Sequence, residues 1–412
     1  MTTTAERTSR TTGGAKTPDS GGGFAELRLA LTQNLRTSGI YIALVALLAL
    51  FAVLTSGASL SPGNITNIVL QYSYILILAI GMVIVIIAGH IDLSVGSVVA
   101  LTGAVSAIVV IKHGMPWWVG VLAALLTGLA IGAWHGFWVA YVGIPAFIVT
   151  LAGMLLFRGM TLWVLDNVSL SPFPADYGII ASGFINGLLG GEGYDVFTLL
   201  IFAIAIIAFA VNQYRTRKIR QSYKQSVPPV WIFLAKIVLV AAVVMAFAWQ
   251  LATARGLPVV LIMLAVLILA YSLIMQHTVF GRQIYAIGGN LAAASLSGVK
   301  VKAVNFWIFV NMGLLSAIAG IVFSSRTNGA QPGAGNMFEL DAIAAAFIGG
   351  AAVTGGVGKV VGAMAGGLIM AVMSNGMQLM GIDQSVQSVV KGLVLLLAVA
   401  FDIWNKRRAG TQ

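Results

Sequence analysis

The chain has no cysteine in 412 residues and only four histidines. Without thiols there is no disulfide framework and no thiolate metal site, and His90, His113, His135 and His277 form no cluster at ligand spacing. Charge is scarce too: 8% of the residues are Asp, Glu, Lys or Arg, against roughly a quarter in soluble domains. No paired acids and no activated nucleophile stand at a spacing that serves chemistry, so an enzyme is not expected. Also missing is the chain of buried carboxylates that a proton-coupled pump requires. Gly355-Gly356-Val357-Gly358-Lys359-Val360 lacks both the leading glycine of a phosphate-binding loop and its Ser or Thr after the lysine. The chain is therefore expected to bind no ATP, metal or other cofactor by itself.

What is present is apolar. Hydrophobic residues make up 59% of the chain and the mean hydropathy is +0.97. A water-soluble core cannot absorb so much apolar sequence. In lipid every backbone polar group must be satisfied internally, and long unbroken runs fit helices rather than alternating barrel strands. The expected class is all-α, a polytopic membrane protein of about twelve transmembrane helices. The runs are 40–55, 72–89, 93–111, 117–142, 147–165, 196–211, 230–251, 257–275, 306–323, 340–353, 360–380 and 386–401, of which the tenth is the shortest.

The formal net charge of +11 does not point to nucleic acid, because the basic residues fall between the runs. Basic connections stay cytoplasmic. With the N-terminus inside, the tail, the segment from Arg215 to Lys224, the loop with Arg282, Lys300 and Lys302, then Lys359, and finally Lys406 to Arg408 all fall inside. Lys112, Arg255 and Arg326 fall outside. Both termini are expected in the cytoplasm. Residues 1–38 read as a largely disordered cytoplasmic tail, 39–408 as the transmembrane domain, and 409–412 as a short tail. Glycine is abundant, 48 residues with runs such as Gly349-Gly350 and Gly366-Gly367, which suits close helix packing in lipid.

Three sets of residues stand out. The inside loop 277–304 carries Gly281, Arg282, Gly288, Gly289, Asn290, Ala293, Ser297 and Gly298. A short amphipathic helix flanked by glycines there is a shape that seats in the groove of a soluble partner, and bulky residues at Gly288 or Gly289 are expected to uncouple that partner. Asp92 and Ser94 open the third run as a helix cap, and Leu340-Asp341 opens the tenth in a comparable way. By the assigned topology Asp92 lies inside and Asp341 outside, so the two segments are expected to be related by inversion across the membrane, as in transporters built from inverted repeats. Polar Asn311, Asn375 and Gln378 can line a path for a neutral, hydroxyl-rich solute or bond one helix to another. Ionisable residues in or near the spans are few: Arg158, Lys236, Lys391 and Asp402.

Four separated segments in order carry a resemblance: Gly81 to Ser97 with Ile91-Asp92-Leu93-Ser94, Ile144-Pro145 to Leu151, Phe280-Gly281-Arg282 with Tyr285 to Asn290, and Glu339-Leu340-Asp341 to Ala345. The chain resembles the permeases of bacterial ribose- and xylose-type ABC sugar importers, from about residue 39 to 408. Its length and the extra basic segment with a helix pair near 196–251 are most similar to the xylose branch, a ten-helix core plus two. It departs from the family at Pro145-Ala146 and at Leu291-Ala292, where an acidic residue is common. The resemblance implies a multi-pass protein of the bacterial inner membrane, a homodimer, a cytoplasmic ATPase with tandem nucleotide-binding domains seated on 277–304 and hydrolysing the ATP, an external sugar-binding protein, and a monosaccharide cargo. The alternative from composition is an ion-coupled secondary sugar transporter.

Overall fold

The computed structural model describes residues 35–225 and 227–408. Most of the expected tail, residues 1–34, and the end 409–412 lie outside the described residues. Fifteen helices are described: α1 Leu35–Leu54, α2 Pro62–Ile87, α3 Val95–Ala107, α4 Trp117–Phe137, α5 Ala146–Val164, α6 Ala175–Ser182, α7 Val196–Ser222, α8 Val230–Ala254, α9 Val259–His277, α10 Val279–Gly289, α11 Leu291–Leu296, α12 Val301–Thr327, α13 Phe338–Ile348, α14 Val360–Leu379 and α15 Gln384–Arg408. Two strands, β1 Phe184–Ile185 and β2 Leu257–Pro258, pair antiparallel.

Nine of these helices are long and apolar enough to cross a membrane, counting the π-helical extensions of α3 and α4, and α1 and α15 contribute shorter apolar stretches. Their starts follow local rules: Pro62 supplies the fixed φ of a first helical turn in α2, and the Asp195 side chain accepts the Thr198 N–H ahead of α7. Burial sorts the helices into two groups. The apolar windows of α2 and α14 are 89% and 83% buried, whereas those of α7 and α8 are 6% and 0% buried. The first two form the centre, with α12 beside them, and α7–α8 is a hairpin laid on the outside whose apolar faces meet lipid.

The tenth expected span is not a full crossing. Helix α13 has 11 residues, about 16 Å of rise against a hydrocarbon core of about 30 Å. It stops at Gly349-Gly350, where Gly350 takes φ +90°, and it is preceded by a non-helical, turn-rich stretch, 328–337. The third span also follows non-helical chain, although α3 with its π-helical extension is long enough to cross. Residues 88–94 leave α2 as non-helical chain, and α3 begins at Val95. Asp92 and Asp341, expected on opposite faces, open two helices whose starts lie close together. A Cβ on Gly96 would lie 2.2 Å from the Gly335 carbonyl oxygen and 2.4 Å from Glu339 Oε2. Glycine at both positions lets one backbone lie against the other.

The two segments share an element order: α2, non-helical chain, α3 and α4 in one, and α12, non-helical chain, α13 and α14 in the other. Small residues make the second set compact: a Cβ on Gly349 would lie 2.4 Å from the Gly362 oxygen, and one on Gly366 2.1 Å from the Ala345 oxygen.

Candidate functional site

The half-helix junction opens into a cavity of about 650 Å³ between α2, α13, α14 and α15. Its wall is rich in neutral amides, Gln71, Gln331, Gln378, Gln384 and Gln387, and its floor is aromatic. Tyr74 packs against Phe323 and Phe338 with ring centroids 5.0 and 4.6 Å away. The cavity occupies the half of the molecule that holds the start of α2 and the start of α15, the side opposite the basic loops. Neutral hydrogen-bonding groups above an apolar face suit a small polyol.

Two sequence-designated residues lie in it. Gln378 accepts from Gln71 Nε2 at 3.1 Å and donates to the Tyr72 hydroxyl at 3.2 Å, which holds its amide at the wall. Asp341, in the first turn of α13, pairs with Lys391 of α15 at 3.0 Å. The other four are elsewhere. Asp92 Oδ1 accepts the Ser94 amide at 2.8 Å and the Ser94 hydroxyl at 2.6 Å, so both are spent on the turn that launches α3. Asn375 exchanges two amide hydrogen bonds with Asn64, at 2.8 and 3.0 Å. Asn311 accepts from the Tyr271 hydroxyl, joining α12 to α9. Arg158 reaches from α5 and donates to the Ala334 oxygen at the junction.

On the basic side, 277–304 folds as two helices rather than one. Thr278 caps α10 by accepting the Gly281 N–H at 3.1 Å, and Asn290 caps α11 by accepting the Ala293 N–H at 2.9 Å. Ser297 closes α11, and Gly298 turns the chain at φ +83°. Gly281 sits against the carbonyls of Ile274 and Met275, and Gly288 against Ile87 and Gly356, with no room for a side chain at either. Gly289 has nothing within 4 Å of a Cβ, and Arg282 is exposed. Tyr285 donates to the Gly358 oxygen at 2.8 Å, and the Gly356 amide to the Ile87 oxygen at 2.8 Å. These contacts bind α10 to the inner end of α2 and to the turn that follows α13.

Sequence reasoning missed three features. Leu296 is 91% exposed and Leu291 is 54% exposed on α11, an apolar surface that calls for a cover. Their apolar character was legible, but exposure is a tertiary property. Lys391 was noted as an ionisable group in a span without being made a site residue, although a charge at that depth is itself a functional signal. The aromatic floor draws on α2, α12 and α13, so spacing along the chain could not assemble it.

The profile of the family described as "Branched-chain amino acid transport system / permease component" matches residues 64–399. The chain is 41% identical over 388 residues to the xylose transport system permease protein XylH of Escherichia coli K12, covering 94% of this chain and 96% of that protein. It is 40% identical to XylH of Haemophilus influenzae, covering 91% of this chain and 98% of the relative. It is 37% identical to the ribose import permease protein RbsC of Escherichia coli K12, covering 89% and 93%. No solved structure matches the chain.

Proposed function

Because the chain belongs to the branched-chain amino acid transport system / permease component family, we propose that it is the membrane-spanning subunit of an ATP-driven importer carrying a neutral monosaccharide inward, xylose first. It is a multi-pass permease component and not an enzyme. The observation that carries the cargo assignment is the cavity of about 650 Å³ walled by uncharged amides and floored by Tyr74, Phe323 and Phe338. The names of XylH and RbsC agree with a pentose.

The energy enters from a partner. A cytoplasmic ATPase with tandem nucleotide-binding domains seats on α10 and α11, where Arg282, Gly289, Leu291 and Leu296 are among the exposed residues. Its closure moves α10, and the bonds from α10 to the inner end of α2 and to the turn after α13 carry the motion to the cavity. An external binding protein delivers the sugar, and two copies of this chain form the transport unit.

Reconstitution tests the reading. The permease, the ATPase and the binding protein are placed together in vesicles, and uptake of labelled xylose, arabinose, galactose, ribose and L-leucine is followed. Uptake of xylose that requires ATP and survives an ionophore is expected. Uptake that an ionophore abolishes while ATP is present would establish an ion-coupled carrier instead, and uptake of leucine alone would replace the sugar.

A further inference from the structure

We propose that Asp341 and Lys391 together form a specificity-determining element that reads two neighbouring hydroxyl groups of the cargo. The proposal rests on the sugar reading above. Lys391 Nζ lies 3.0 Å from Asp341 Oδ2, bridging α13 and α15, and both side chains line the cavity. Neither is sealed off, with side chains 26% and 14% exposed.

The pair has hydrogen-bonding capacity left over. An ammonium group has three donors and a carboxylate about four acceptor positions. The hydrogen bond between them uses one of each, and neither Asp341 Oδ1 nor the remaining Nζ hydrogens have a hydrogen-bonding partner among the described residues. An acceptor and a donor therefore stand side by side, facing the same space. A hydroxyl group is both donor and acceptor, so one hydroxyl of a sugar can donate to Oδ1 while its neighbour accepts from Nζ. Both bonds are charge-assisted, the stronger class.

The same arrangement rejects other cargo. The pair is neutral as a unit and exerts no net pull on ions. An anion or a zwitterion gains only by splitting it, which leaves a half-buried charge unmatched. A sugar lacking one of the two hydroxyls leaves a charged donor or acceptor unpaired, the situation in which polar sites discriminate most strongly. The aromatic floor takes the C–H face of the ring and leaves its hydroxyls turned to the pair and the amide wall.

The experiment is direct binding to the purified full-length permease in nanodiscs, read by saturation-transfer NMR with D-xylose, its single deoxy analogues and L-leucine at millimolar concentration. No delivering protein enters this measurement. Wild type is expected to prefer xylose over at least one deoxy analogue by about tenfold or more. In the Asp341→Asn/Lys391→Met double variant, which removes both charges together, that preference is expected to fall towards one. Retained preference overturns the proposal and leaves the pair as a clamp between two helices. If the double variant is not monodisperse, Lys391→Arg carries the test. It keeps the charge but re-spaces the donors, so the order of preference among the analogues should change, and an unchanged order overturns the proposal. Should wild type bind leucine and no sugar, the sugar reading itself fails, an outcome distinct from sugar binding that ignores the pair.

Discussion

Gly288 and Gly289 are adjacent in the chain, yet the structure separates their roles. A Cβ on Gly288 would stand 1.7 Å from the Ile87 oxygen, backbone that cannot yield, whereas one on Gly289 meets nothing within 4 Å. Sequence reasoning treated the two as equivalent docking residues, because the spacing of glycines says nothing about which of them touches another backbone. Gly288→Val is expected to destabilise the protein by about 3 kcal/mol or more, seen as loss of monodisperse protein or a lowered Tm in detergent. Gly289→Val should leave Tm unchanged and, in reconstituted vesicles, lower sugar uptake per ATP hydrolysed by about tenfold. A Tm that falls equally in both variants would contradict this division.

Among the elements, the segment before α7 offers a pH-dependent test outside the membrane spans. Burial acts to raise the Asp195 carboxyl, but hydrogen bonds from the Thr198 hydroxyl and amide and from the Gly187 amide outweigh it and hold the group below its usual range. The Thr198 and Gly187 amides lie 2.8 and 2.9 Å from its oxygens. A carboxylate depressed in the folded state stabilises above its unfolded value, near 4, and that contribution is lost as pH falls through the folded value. Asp195→Asn is expected to lower Tm at pH 7, with a cost of about 1 kcal/mol, and the gap to wild type should close as pH falls below about 4. A gap that persists at low pH would assign the effect to shape rather than charge. The elements themselves were largely legible, since twelve apolar runs follow from hydropathy alone. What hydropathy could not show is that α3 and α13 are both entered through non-helical chain and start side by side, because Asp92-Leu93-Ser94 and Leu340-Asp341 read as ordinary helix caps until Gly96 and Gly335 are seen to touch.

At the scale of the whole molecule, the outlying hairpin α7–α8 leaves and rejoins the core at one place. β1 pairs with β2, and a Cβ on Gly256 would lie 2.8 Å from Asn186 Cβ, so the chain on either side of the hairpin is already adjacent. Replacing 188–254 by a short turn is expected to give a protein that still inserts and transports, with a lower Tm because the core surface covered by Ala248, Leu251 and Ala252, mainly on α2, is uncovered. Uptake and Tm of the shortened protein measure this, and loss of uptake from a well-folded variant would make the hairpin part of the transport machinery. The extra pair was visible in the sequence as two added runs, but its peripheral position was not, since lipid and protein neighbours select the same side chains.

The junction of the two half-helices has an electrical consequence. Asp341 and Lys391, 3.0 Å apart, form an ion pair beside the cavity that carries no net charge as a unit, and the proposed cargo is itself uncharged. A transmembrane voltage does about 2.3 kcal/mol of work per unit charge for every 100 mV, and here it has almost nothing to act on. Initial rates in vesicles clamped with potassium and valinomycin should be the same at zero and at strongly negative interior potential; a rate that tracked the clamp would mean that net charge crosses the bilayer during the cycle.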